Sequence, residues 1–94
     1  MQITWRPQAR EDITHARRYI EQHSPKGARR VVLEIYAAVQ RLADAPHLGH
    51  PGRVAGTREA VVPRTPYIVA YSVVGNQLLI LSVIHGAREW PERF

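Results

Sequence analysis

Four side chains in the last third of this 94-residue chain could do chemistry on an anion: Arg58, Arg64, His85 and Arg88. Tyr67 joins them if it lies across a strand pair from His85. A histidine, arginines and a tyrosine suit phosphodiester cleavage through a 2′-hydroxyl. The imidazole would act as general base or acid, and the guanidinium groups would stabilise the charge growing on the phosphate. The same residues have plain structural uses. His85 can close a strand end on backbone, Arg88 can pair with Glu59, Glu89 or the terminal carboxylate, and Tyr67 can simply pack. The tail Trp90-Pro91-Glu92-Arg93-Phe94 has two readings as well. It is a lid over the sheet end, or a contact surface, since Trp and Arg are common interface anchors.

Other chemistries lack their residues. There is no cysteine, which excludes a disulfide framework, thiol catalysis and zinc–thiolate sites. His47 and His50 stand three apart without a carboxylate or thiol at ligand spacing, so they read as turn residues rather than a metal site. No Gly-rich phosphate loop or nucleophile elbow appears, and no cofactor is expected.

The elements that must position these residues follow from pattern. Three β-branched and aromatic runs, Thr57–Val62, Tyr67–Val74 and Leu78–His85, are separated by short Pro and Gly breaks, as in an antiparallel meander. Gly75-Asn76 marks the second hairpin. A two-residue loop pairs Val74 with Gln77. A three-residue loop puts Tyr67, Val69, Tyr71, Val73, Leu79, Leu81, Val83 and His85 on one face. The second gives a fully apolar face and is preferred. It sets Tyr67 opposite His85, and Arg58 is placed near that pair. Ile68, Ala70, Ser72, Ile80, Ser82 and Ile84 then line a second face left partly open.

Upstream, Ile3–Trp5 reads as a strand, ended by Arg6-Pro7. Ala9, Ile13, Ala16 and Ile20 recur with helical spacing, while His15 and His23 fall outside that stripe and read as surface residues. Ser24-Pro25 caps and starts a second helix, striped by Ala28, Val31, Ile35, Ala38 and Leu42 and stopped by Pro46. Residues 47–56 read as a loop. The expected fold is α+β, one domain over residues 1–94. Its order is β-α-α-β-β-β, a helical hairpin packed on a small, mainly antiparallel four-stranded sheet.

The chain carries a formal net charge of +5, and only Lys26 among its thirteen cationic side chains is a lysine. Arginine suits bidentate contact with phosphate or carboxylate, so a nucleic acid or an acidic protein segment is the kind of partner to expect. The N-terminus lacks the apolar core of a signal peptide, and no run approaches the ~20 apolar residues of a membrane span. A cytoplasmic protein without a membrane partner is expected.

Taken in order, Ala9, Asp12-Ile13, Tyr19-Ile20, Gly49-His50-Pro51-Gly52-Arg53, Gly56-Thr57-Arg58-Glu59, Tyr67-Ile68-Val69-Ala70-Tyr71 and His85-Gly86-Ala87-Arg88-x-Trp90-Pro91 cover nearly the whole chain. Together they resemble the RelE/ParE superfamily of toxins from bacterial type II toxin–antitoxin modules, and the ending looks most like its ParE-like branch. The resemblance implies a growth-inhibiting, plasmid-stabilising toxin silenced by a cognate antitoxin. That antitoxin would be acidic and partly disordered, folding as it wraps the toxin, and would carry the operator-DNA contacts. A homodimer or a hetero-oligomer with the antitoxin is compatible with it.

The ParE-like reading implies a non-enzymatic gyrase inhibitor whose target contacts are Arg58, Arg88, Trp90, Arg93 and Phe94. A RelE-like reading implies a ribosome-dependent mRNA endonuclease, an mRNA interferase with His85, Arg58, Arg88 and Tyr67 at its site. RelE-type chains carry several lysines and a C-terminal tyrosine. This chain has only Lys26, and no tyrosine follows Tyr71. A non-toxic relic that only binds its antitoxin is the third reading.

Overall fold

The computed structural model describes residues 1–94. Strand β1 (Gln2–Trp5) leads into helix α1 (Pro7–Glu21) and helix α2 (Pro25–Asp44). Strands β2 (His50–Pro51), β3 (Arg58–Val61), β4 (Tyr67–Val74) and β5 (Gln77–His85) follow. The sheet order is β1-β5-β4-β3-β2, with β1 parallel to β5 and every other pair antiparallel. The expected four strands become five, because His50 and Pro51 pair with Glu59 and Arg58 inside the stretch read as a loop.

Both helices start on proline. Ser24 caps α2, its hydroxyl accepting from the Gly27 N–H at 2.9 Å, as its type predicts. Ala9, Ile13 and Ala16 of α1 and Val31, Ile35, Ala38, Val39 and Leu42 of α2 are buried against one sheet face. That face supplies Tyr67, Val69 and Tyr71 from β4 and Leu78, Ile80 and Val83 from β5.

Neither expected hairpin register holds along its whole length. The loop is the two-residue Gly75-Asn76, with Gly75 at φ 57°, and Val74 pairs with Gln77. The strands stay in that register as far as Tyr71↔Ile80, where a β-bulge inserts Leu81. Beyond it Ala70 pairs with Ser82 and Tyr67 with His85, the pairing of the three-residue loop. The bulge switches parity. Leu78 and Ile80 reach the core on one side of it and Val83 on the other, so Leu79 and Leu81 are not on the core face as expected. Two loop lengths that compete on paper are reconciled by one extra residue.

The second face is better covered than the sequence suggests. Ala70, Leu81, Ser82 and Ile84 are buried, while Ile68 and Ser72 are half-buried. Part of the cover is the C-terminal tail, whose Pro91 and Phe94 share a groove with Leu81 and Ile84. No helix is long and apolar enough to cross a membrane.

A candidate binding site at the end of the last strand

Tyr67 opens β4 and His85 closes β5, so antiparallel pairing sets them directly opposite. Their rings meet edge to face, with centroids 5.5 Å apart and planes at 81°. The Gly86 N–H donates to the Pro66 carbonyl at 2.8 Å and ties the two strand ends together. The chain then turns tightly, with the Arg88 N–H donating to the His85 carbonyl at 3.0 Å. Inside that turn the Ala87 N–H donates to His85 Nδ1 at 3.1 Å. The neutral ring therefore carries its proton on Nε2 and offers a donor outward, not a lone pair. Accepting a proton at Nε2 would require the other tautomer or an imidazolium cycle, and the Ala87 contact would break.

Burial pushes the Tyr67 hydroxyl above its usual pKa of 10.0, and the nearby Arg88 guanidinium only partly offsets this. Tyr67 stays protonated at neutral pH and can donate. Helix α1 forms the other wall. Asp12, His15, Ala16 and Tyr19 follow at spacings of three, one and three, one stripe of a helix beside its buried face. With Tyr67, Val83, His85, Ala87 and Arg88 they line a cavity of about 300 Å³. Asp12 locks that wall to the sheet. β1 ends at Trp5, so the outer edge of β5 is vacant beyond Ile80. The Asp12 carboxylate fills part of it, accepting from the Val83 N–H at 2.9 Å and from the Ser82 hydroxyl.

The other expected site residues are distributed differently. Arg58 pairs with Tyr71, four residues along β4 from Tyr67, which is roughly 13 Å at ~3.3 Å per residue. The sequence expectation had it beside His85. Antiparallel β3 starts at the far end of β4, and that direction alone puts Arg58 there. Its guanidinium donates to the Gly49 carbonyl at 2.6 Å, close to the Tyr71 hydroxyl. Tyr71 in turn donates to the Pro46 carbonyl at 2.7 Å and accepts from the Gly49 N–H at 3.0 Å. Gly49 is required there, since a Cβ would lie 2.4 Å from the Tyr71 hydroxyl. Arg64 does stand at the Tyr67 end, but it is committed to Glu34 of α2 through two nitrogens, at 2.8 and 3.2 Å.

The tail is held from behind. Glu59 of β3, 2% exposed, accepts from the Arg53 backbone N–H at 2.7 Å and forms an ion pair with its guanidinium at 3.3 Å. That guanidinium sits 3.9 Å above the Trp90 ring. Trp90 is thus half-buried against that guanidinium, while Arg93 and Phe94 reach the far side of β5. There they line a groove of about 460 Å³ with Arg6, Pro7, Leu81, Ile84 and Arg88. No three metal-ligating side chains converge anywhere. The sequence reading missed Arg53, His15 and Tyr19. The 12-15-16-19 stripe was visible beside the core stripe, whereas the Arg53–Trp90 contact joins distant segments that no spacing connects.

Comparison with known proteins places this architecture. A model of the ParE toxins of type II toxin–antitoxin systems, parDE, matches residues 3–90. The chain belongs to the ParE toxin family. It is 39% identical over 90 residues to the protein Y4kP of Sinorhizobium fredii, covering 96% of this chain and 93% of the relative. It is 34% identical over 87 residues to the toxin RelE2 of Caulobacter vibrioides, covering 93% and 97%. A solved structure of the chromosomal ParDE system from P. aeruginosa superposes with a TM-score of 0.81 at 25% identity, over 90% of this chain and 95% of that one. The RelE/ParE assignment and the helical hairpin on a mixed sheet thus stand on sequence and fold together. The parity-switching bulge and the tail clamp are features seen in this chain.

Proposed function

We propose that this ParE-family toxin arrests growth by binding DNA gyrase and trapping it on DNA, and that a cognate antitoxin silences it. Arg88, Trp90, Arg93 and Phe94 form the contact surface. The observation that carries the reading is the state of His85. Its Nδ1 is occupied by backbone, and Arg58, one of the cations expected beside it, stands at the other end of the meander. What remains at the strand end is a set of donors, suited to holding an anionic or polar partner rather than cycling a proton. The antitoxin is acidic and partly disordered, and folds on binding. It meets Arg6, Arg88 and Arg93 around the apolar groove of Leu81, Ile84 and Phe94. Operator DNA is bound through the antitoxin.

One observation favours a second reading, a ribosome-dependent ribonuclease. Tyr67, His85 and Arg88 do share a cavity, and one relative carries the name RelE2. Pulse-labelling of new protein and new DNA in the first minutes after induction separates the two. DNA synthesis falling first, with translation continuing, is the expected result. Protein synthesis falling first overturns the gyrase reading. Undisturbed growth with soluble, folded chain marks an antitoxin-binding relic.

A further inference from the structure

Three grooves meet at Arg88, and they differ in chemistry. The one beneath the tail is lined by Leu81, Ile84, Pro91 and Phe94 among its polar residues. A second, about 520 Å³, runs along the solvent side of α1 and has no hydrophobic residue in its wall. Its cations are Arg10, Arg18 and Arg88, with His15 and Thr14 between them and Glu11 as its one carboxylate. None of the three arginines makes an ion pair, although Arg17, Arg53 and Arg64 all do. The third is the 300 Å³ slot of Tyr19, Tyr67 and His85, and it joins the second through His15 and Arg88. Tyr19 lies 60% exposed at its mouth.

An unpaired cationic track beside an open aromatic slot is what a single nucleic-acid strand requires: phosphates along the track and a base stacked in the slot. We propose that the α1 grooves bind one strand of nucleic acid, with phosphates on Arg10, Arg18 and Arg88 and a base against Tyr19 and the edge of His85. Arg10 and Arg18 are eight residues apart, about 12 Å along the helix, which matches roughly three stacked nucleotides at ~3.4 Å each. An acidic peptide is the poorer occupant. A segment that folds on binding anchors through apolar side chains, and the polar groove offers them nothing, whereas the tail groove does. A duplex is poorer too, since a paired base cannot enter the slot. Arg88 stands where the protein-binding and strand-binding grooves touch. A toxin that engages an enzyme and the DNA strand it holds would need that junction. This setting rests on the gyrase reading, but the binding does not.

The test is fluorescence anisotropy of the purified full chain with a labelled single-stranded oligonucleotide, from about 50 mM salt upward. Three phosphate contacts give a log–log salt slope near −2, at ~0.7 per contact for single strands. Arg10→Glu with Arg18→Glu should weaken binding at least tenfold and flatten the slope. Tyr19→Ala should weaken it by roughly tenfold with the slope unchanged. Arg29→Glu with Arg41→Glu, the same charge change on α2, should stay within about twofold of the parent. Absent binding overturns the inference. So does a control that loses as much as the α1 variant, which is bulk charge alone, and so does a duplex competing equally well. Because gyrase is absent from the assay, strand binding can fail while poisoning stands, and the reverse.

Discussion

The two ends of the β3–β4–β5 meander carry similar residue types and use them in opposite ways. At one end Tyr71 and Arg58 have their polar groups bonded to the 46–49 loop, around a glycine with no room for a side chain. At the other, Tyr67, His85 and Arg88 surround an open cavity, with Arg88 unpaired and the His85 donor facing outward. Tyrosine and arginine are thus structural where the backbone consumes their hydrogen bonds, and available where it does not. Satisfaction, more than residue type, separates the scaffold from the site.

The sharpest way to break that contrast is to remove one hydroxyl. Tyr71→Phe strands a buried N–H and a carbonyl and should cost about 2–3 kcal/mol in urea unfolding. Tyr67→Phe, whose hydroxyl has no protein partner, should cost under about 0.5 kcal/mol. Equal losses would erase the distinction. Asp12→Ala comes next. It uncovers the vacant edge of β5 and should cost about 2 kcal/mol by the same measurement, because the Val83 N–H and the Ser82 hydroxyl lose their acceptor. The arginines follow. Arg58→Ala should cost about 1–2 kcal/mol and Arg88→Ala about 0.5 or less.

The smallest effect is alkaline. Burial raises both Tyr67 and Tyr71 above 10.0, and their partners only partly offset it. A group whose folded pKa is raised contributes its stability below the unfolded value and loses it as pH climbs to the folded one. Unfolding titrations should therefore show stability falling above pH ~10, with a flatter decline in Tyr71→Phe. An unchanged decline would mean that Tyr71 is not held neutral.

Much of this was legible in the chain. The helical stripes, the Ser24-Pro25 start and the Tyr67–His85 pairing follow from periodicity and breaker residues. The bulge was not. Each loop length satisfied half of the alternation, and only packing against α1 and α2 shows that both halves must be kept. Arg58 was misplaced through strand direction, which pattern does not weigh against proximity in sequence. His15 reads as ordinary surface because a groove is made by two elements, and a helix stripe shows only one of them. The Glu59–Arg53–Trp90 clamp depends on a long-range fold-back of the tail.

On this proposal the His85 end meets the target and the Tyr71 end only supports it. Gyrase-mediated cleavage of supercoiled plasmid measures this directly. With the parent chain and with folded Arg58→Ala, linear plasmid should accumulate after detergent and protease, and Arg88→Ala should abolish it. No linear product with the parent, or Arg58→Ala failing as completely as Arg88→Ala, would contradict the account.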